Sequence, residues 1–366
     1  IEKAIDRVYG SFLFNRVLYK IVPNNDAYDL ILRTVESNVD FFKYGFHYDT
    51  DLKTTLLLNT TLFNKLGMGS RLHADLLLGE NYGVELSYYN PLTRVIGVGA
   101  NIDFKLTKFD IPFYGEKSRS LISVLGFSRY SGDFSILTNF SSMFSFGIGL
   151  TTEHFNYNPK IGGDNIPEIQ NDNYLSRHGF LIIDTFDKTI FPSKGVQFEL
   201  RSKIITDQFL NGNKSKQQVI NKLTMKFHWI IPLSEKTILS NRVYAGHIKG
   251  DNVPLLHNHF LGGTMKRIFN TFPFNGLKFM EIFNKNIFTY QLKVRNEIWS
   301  NHFLSVEFDA GYTAPNFDEL ISFSGQKYGY GMSYSLNTPL GQMEFHLSMD
   351  NENKEVIPFI SVGYLF

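Results

Sequence analysis

From about residue 39 onward, apolar and polar side chains alternate with a period of two, the repeat that sends successive residues to opposite faces of a β-strand. Leu223, Met225, Phe227, Trp229 and Ile231 sit opposite Thr224, Lys226 and His228. Phe288, Tyr290, Leu292 and Val294 oppose Thr289, Gln291, Lys293 and Arg295. Met343, Phe345, Leu347 and Met349 oppose Gln342, Glu344, His346 and Ser348, and Val196, Phe198 and Leu200 oppose Gln197, Glu199 and Arg201. A soluble β-sandwich also alternates, so length has to separate the two cases. Sandwich strands run about 5 or 6 residues, whereas these runs extend for about 9 to 14, as a tilted strand needs in order to cross a bilayer. Charges are costly in hydrocarbon, so Glu199, Arg201, Lys293, Arg295 and Glu297 are predicted to point into a lumen.

The connections alternate in length as well. Asn90-Pro91, Pro232 to Glu235, Ser300-Asn301 and Pro339 to Gly341 read as tight turns, while Asn156 to Asn173 and Gly250 to Asn286 are long and rich in Gly, Asn and Pro. Short turns belong on the periplasmic side of an outer-membrane barrel and long loops outside. The raw count is about sixteen or seventeen strands, with Lys117 to Ser142 readable as one long strand or two short ones; antiparallel closure requires an even number, so the prediction is sixteen.

The first residues read differently. Ile1, Ala4, Ile5 and Val8 recur at helical spacing up to Gly10, then Val17, Tyr19 and Ile21 and next Tyr28, Leu30 and Leu32 alternate around a Pro23 to Asp26 turn. Helix, strand, strand is a soluble α+β fragment, too small to fold well alone. The expected division is therefore 1–37 for this fragment and 38–366 for the barrel. With Ile1 first and no signal peptide before it, the chain is expected to be a processed or truncated product.

Composition sharpens the picture. Aromatic residues make up 15% of the chain, yet mean hydropathy is only −0.14, the balance expected when lipid-facing and lumen-facing side chains alternate. No stretch approaches the roughly 18 apolar residues a spanning helix needs, which excludes helical membrane topology. A net charge of +1 without a basic cluster excludes a nucleic-acid surface. With no cysteine there is no thiol catalysis, thiolate metal site or disulfide.

Asp184-Thr-Phe-Asp187-Lys-Thr-Ile-Phe191-Pro192-Ser-Lys-Gly195 resembles the D-x-x-D-x-x-x-F-P-x-x-G turn of the bacterial surface antigen barrels, the BamA/TamA superfamily. Pro192 fixes φ and Gly195 can take φ > 0, which makes a rigid turn; an ordinary Pro/Gly turn explains those two positions but not the spaced aspartates. Phe260-Leu-Gly262-Gly263 resembles the F-x-G-G that opens the sixth, inward-folded loop of that family, and Phe308-Asp309-Ala310-Gly311 its acidic inner-wall motif. The family's V-R-G-F triplet is replaced by Lys266-Arg267-Ile268-Phe269, without its Gly. The resemblance implies that Arg267 pairs with Asp309 in the lumen, with both residues merely solvated as the open alternative. Gly329-Tyr-Gly331 and Thr338 to Gly341 resemble the penultimate hairpin, and the ending Val362-Gly363-Tyr364-Leu365-Phe366, with Tyr364 and Phe366, looks like the β-signal read by the assembly machinery. Gly10 to Tyr19 resembles part of a POTRA domain. The resemblance covers nearly the whole chain and is weakest between Lys53 and Phe155.

Loss of the R-G-F triplet, together with Phe272-Pro273-Phe274-Asn275-Gly276-Leu277, looks more like the barrels at the C-terminus of patatin-like phospholipases. That resemblance implies an all-β transmembrane barrel preceded by a partial POTRA domain, acting as anchor or translocator for a patatin-like phospholipase domain upstream of Ile1. The alternatives are a BamA/TamA-type insertase that opens its first-to-last strand seam and, third, a passive pore. The implied location is the outer membrane of a Gram-negative bacterium with the N-terminus in the periplasm. The implied partners are outer-membrane lipid and the assembly machinery during biogenesis, with a homodimer left open.

No G-x-S-x-G elbow occurs, so any acyl-hydrolase activity belongs to residues outside this sequence. His257 and His259 have the spacing of a metal pair, but two histidines without a third ligand read as polar loop residues. Lys293, Arg295 and Glu297 read as ordinary lumen charges. No catalytic residue, metal or cofactor is assigned.

Overall fold

The computed structural model describes residues 14–25, 27–36, 40–93, 97–115, 119–141, 143–162, 172–207, 219–251, 253–265, 270–321 and 325–364. Strands β1 (Phe14–Asn24) and β2 (Ala27–Glu36) form a separate two-stranded antiparallel sheet. The helix expected at Ile1 to Val8 lies outside the described residues, so the described part of the N-terminal unit is this hairpin alone.

A closed antiparallel barrel follows. Its strands are β3 (Phe41–Asp49), β4 (Lys53–Phe63), β5 (Arg71–Gly79), β6 (Tyr82–Pro91), β7 (Val98–Tyr114), β8 (Leu121–Ser141) and β9 (Phe144–Ile161). Next come β10 (Asp172–Asp184), β11 (Gly195–Asp207), β12 (Val219–Pro232) and β13 (Thr237–Lys249). The long connection after β13 holds three short strands, β14 (His259–Leu261), β15 (Thr271–Phe272) and β16 (Ile282–Asn284), which form their own small sheet. The barrel resumes with β17 (Asn286–Trp299), β18 (His302–Ala314), β19 (Lys327–Thr338), β20 (Gly341–Asp350) and β21 (Ile357–Gly363), which pairs with β3. Sixteen strands close the ring, the even number that antiparallel closure requires. Lys117 to Ser142 holds one strand, β8, of 21 residues. The expected loop from Asn156 starts later, because β9 runs on to Ile161.

An even count leaves both ends of the ring's chain at one mouth, the terminal end. The turns at 233–236, 300–301 and 339–340 and the motif turn at 185–194 lie there, and the long β13–β17 connection lies at the opposite, far end. Outward-facing Phe42, Tyr44, Ile148, Val306 and Met332 are all exposed, an apolar band that would be unstable against water and is the natural face toward lipid.

The alternation reverses its polarity in the longest strands. In β7, Asp103 and Lys105 face the lumen while Ile102, Phe104 and Leu106 face outward; from Lys108 on, Lys108 and Asp110 face outward and Phe109, Ile111 and Phe113 face inward. In β9, Glu153 faces inward and Leu150 outward, but two residues later Phe155 and Tyr157 point inward and His154 and Asn156 outward. Phe109, Phe127 and Tyr157 stand in register across β7, β8 and β9, and on the outside Lys160 Nζ lies 2.7 Å from Asp110 Oδ2. A wall in hydrocarbon is apolar outside; a sheet in water is apolar only on its covered face. The reversal therefore marks where β7–β9 leave the membrane at the far end and become a water-washed flap.

Candidate functional site: an occluded lumen and a short strand seam

The underside of that flap is covered by the connection between β13 and β17, which folds into the barrel. Leu256, Phe260, Phe279 and Met280 of the connection pack with Phe109, Leu125, Phe127 and Phe155 of the flap in one buried apolar cluster. His257 joins it edge-on, with ring centroids 4.7 Å from Tyr174 and 5.4 Å from Phe155. His257 and His259, read from the sequence as polar loop residues, do lie in the loop but are buried there. Burial, reinforced by Lys203, Lys222 and Arg129 against the opposing pull of Glu153, holds the His257 imidazole down at about 3.

Deeper in the lumen, the tip of the same connection docks on the inner wall of β17–β20. The Asn275 N–H donates to Asp309 Oδ2 at 2.7 Å, and Gln291 Nε2 donates to the same oxygen at 3.0 Å. His346 Nε2 donates to Asn275 Oδ1 at 2.8 Å, and Gln291 Nε2 reaches Pro273 O at 2.9 Å. The Phe274 ring lies over Gly311, where an added Cβ would stand 2.7 Å from a ring carbon, so only glycine admits the ring. A buried hydrogen bond contributes about 0.5–1.5 kcal/mol net, and together these contacts fix one register of loop on wall.

A second clasp crosses the far end. Arg119, between β7 and β8, donates from Nε and Nη2 to the two carboxylate oxygens of Glu281 at 2.5 Å each, from Nη2 to Gly276 O at 2.7 Å and from Nη1 to Asp350 Oδ2 at 3.1 Å. It ties the flap to the inward loop and to the end of β20. The fork geometry suits this task in a way a lysine's point charge does not.

The terminal end is narrowed by the 185–194 turn. Asp184 accepts from the Phe186 N–H at 3.0 Å and from Gln197 Nε2 at 2.7 Å, while Asp187 accepts from the N–H groups of Ser193 and Lys194 and from the Ser193 hydroxyl. Burial would raise the Asp187 carboxyl, but these donors hold it down at about 2. Gly195 has φ +120°, and Phe191 itself adopts φ 51°. The turn sends Phe186 against His228 and stacks Phe191 on Phe303 with centroids 4.3 Å apart, and Arg295 Nη2 donates to Pro192 O at 2.7 Å. Phe303 and Arg295 are lumen-facing, so this turn folds under the barrel.

Between loop and wall remains a charged chamber of about 590 Å³, lined among others by Arg129, Glu153, Glu199, Lys203 and Lys226. Its charges are paired: Glu153 with Arg129 at 2.6 Å and with Lys203, and Glu199 with Arg201 and Lys226. The arrangement neutralises a wet lumen.

The weakest join in the wall is β21 with β3. Among the described residues it has three paired positions, Ser361 with Asp49, Val362 with Tyr48 and Gly363 with His47, against nine for β3–β4. The Tyr364 N–H adds a bond to Phe46 O at 3.1 Å, and the Tyr364 hydroxyl donates to Pro339 O at 2.7 Å. A Cβ on Gly363 would run into the Phe46 carbonyl. Among the described residues, Phe41 to Gly45 have no β21 partner.

Asp309 and Gly311 line the inner wall under the loop tip; Gly262 and Gly263, at φ +124° and +84°, turn the chain at the loop crossing. Arg267 and Phe366 lie outside the described residues. Arg119, Asn275 and His346 went unassigned by sequence reasoning. Asn275-Gly276 carried a turn signal, but Arg119 sits in a stretch whose neighbours form no motif.

A family model for the OMP85 superfamily matches residues 28–366, and the chain belongs to that superfamily. No curated protein matches the sequence. Among solved structures, the chain is similar to BamA from Haemophilus ducreyi lacking POTRA domains 1–3, with 15% identity and a TM-score of 0.73 over 100% of this chain and 78% of that one. It is also similar to CdiB from Acinetobacter baumannii, with 11% identity and a TM-score of 0.63 over 99% and 68%. CdiB from Escherichia coli gives 10% and 0.63 over 99% and 71%. At these identities the likeness is one of fold. OMP85 barrels are outer-membrane proteins of Gram-negative bacteria, and the chain is a transmembrane barrel of this kind.

Proposed function

From this membership we propose that the barrel is the outer-membrane anchor and translocator of an N-terminal patatin-like phospholipase domain, joined through a POTRA domain of which residues 1–37 are the last part. The occluded lumen is the observation that carries this reading. The Asn275 dock, the apolar cap and the 185–194 turn obstruct the water path in succession, which suits a rigid holder better than a pore. The tight turns at the terminal end support an N-terminus in the periplasm. The Phe272 to Leu277 resemblance supports the patatin-like partner.

The test is fractionation. With the complete gene product in a Gram-negative host, acyl-hydrolase activity is expected in the outer membrane and is expected to leave it when residues 38–366 are deleted. A gene that encodes no G-x-S-x-G hydrolase upstream of Ile1 would sink this reading.

The few paired positions of this seam among the described residues favour a second reading, an assembly insertase of the BamA/TamA type in which β3 receives a strand of another barrel. Depleting the protein would then lower the outer-membrane level of unrelated barrels.

A further inference from the structure

The lipid face of the barrel holds a charge that the alternation does not predict. In β10 the outward residues are Leu175, Arg177, Gly179, Leu181 and Ile183, and the register sets Arg177 beside Leu150 of β9 and Ile204 of β11, both outward-facing. Among the described residues Arg177 is the one charge within the apolar band below the polarity reversal, and it is exposed with no carboxylate partner. Lumen cations such as Arg129 and Lys203 are instead paired. On β9 the outer face turns polar at Thr152 and His154, immediately above Leu150. Arg177 therefore sits just inside the far-end edge of the hydrocarbon, where a long cationic side chain can reach a headgroup while its stem stays among apolar neighbours.

Beside it the wall is hollow. A trough of about 540 Å³ is lined by Phe134, Ile136, Ile148, Leu150, Ile204 and Arg177 itself. Its floor is Gly179 and Ser202, paired across β10 and β11. Packing does not force the glycine: a Cβ there would meet nothing closer than Gly147 O and Ile148 Cγ2, both at 3.7 Å. A second outer-wall trough, about 710 Å³ around Gly132, reaches Leu175 two residues before Arg177. Two apolar hollows flanking one unpaired guanidinium match the parts of a diacyl lipid with a phosphate headgroup. Guanidinium forks bind phosphate bidentately, which gives preference over a lipid lacking net negative charge.

We propose that Arg177 and the Gly179 trough form a specific site on the outer wall for an anionic, phosphate-bearing membrane lipid of the far-end leaflet. The test is native mass spectrometry of the whole chain in detergent, titrated with dioleoylphosphatidylglycerol or dioleoylphosphatidylcholine, with heat-modifiable gel migration as the folding check. The wild type is expected to retain the anionic lipid preferentially. Arg177→Gln should weaken it about tenfold and erase the preference, with Arg177→Lys recovering part of it. Gly179→Leu, which fills the trough, should weaken both lipids; if that variant loses its folded band, Ser202→Leu fills the same hollow. The site is overturned if Arg177→Gln keeps the wild-type preference, if a folded trough-filling variant binds as the wild type does, or if sodium phosphate alone displaces the lipid.

Discussion

Arg119 and Glu281 are separated by 162 residues in sequence, yet they form a two-pronged ion pair with both contacts at 2.5 Å and both side chains nearly buried. The same guanidinium reaches Asp350, so one residue joins the flap, the inward loop and the β20 end. Such a pair is costly to break on one side only, because the abandoned carboxylates stay buried.

Arg119→Ala is accordingly expected to destabilise the folded barrel by about 3–5 kcal/mol, and Arg119→Lys by less. The midpoint of urea-induced loss of heat-modifiable migration reads this directly. An unchanged midpoint for Arg119→Ala would mean that the clasp is solvated.

Asp309→Ala removes the acceptor for both the Asn275 N–H and Gln291 Nε2. A loss of about 1–3 kcal/mol from the loop dock follows, since two buried donors are left without their partner. In planar bilayers the variant should show brief conductance steps absent from the wild type. Arg267→Ala, recorded alongside, tests the proposed Arg267 to Asp309 contact: equal conductance for the two single variants and the double variant is expected if they act through one contact.

Acid should loosen the cap. The His257 imidazole is held at about 3, below its ordinary value of 6.5, so the unfolded or undocked loop binds the proton more readily than the docked one. The stabilisation it gives is complete above pH 6.5 and is lost progressively as pH falls from 6.5 toward 3. Protease cleavage within 250–286 should therefore quicken between about pH 7.5 and pH 5, and His257→Phe, which keeps the packing on Phe155 and Tyr174, should flatten that dependence.

The seam can be locked. The chain has no cysteine, so Tyr48→Cys with Val362→Cys introduces a single pair at directly opposed positions of β3 and β21, a separation a disulfide can span. Oxidation should leave anchoring of an upstream domain intact and abolish an insertase function. Growth or barrel-assembly assays in oxidising and reducing medium distinguish these outcomes.

The period-two pattern carried the barrel by itself, because a strand with one face in lipid and one in a wet lumen must write that difference into every second residue, as in Leu223 to Ile231. The even strand number and the inward loop were legible for similarly local reasons, closure in the first case and the Gly262-Gly263 resemblance in the second. The spaced aspartates of the 185–194 turn showed in sequence, but their use as acceptors for Phe186, Ser193 and Lys194 did not.

Contacts made across the lumen were not legible. Arg119 finds Glu281 and Asp350, and Asn275 finds Asp309 and His346, only after the ring has closed and the loop has folded in, and no spacing along the chain encodes which wall a loop residue will meet. The polarity reversal in β7–β9 was present in the letters, yet it becomes meaningful only when the register aligns Phe109, Phe127 and Tyr157 beneath one roof. Local alternation is fixed by the solvent each face touches, so the sequence determines it alone. Which distant side chains share a buried space depends on strand order and register, and those exist only in the closed barrel.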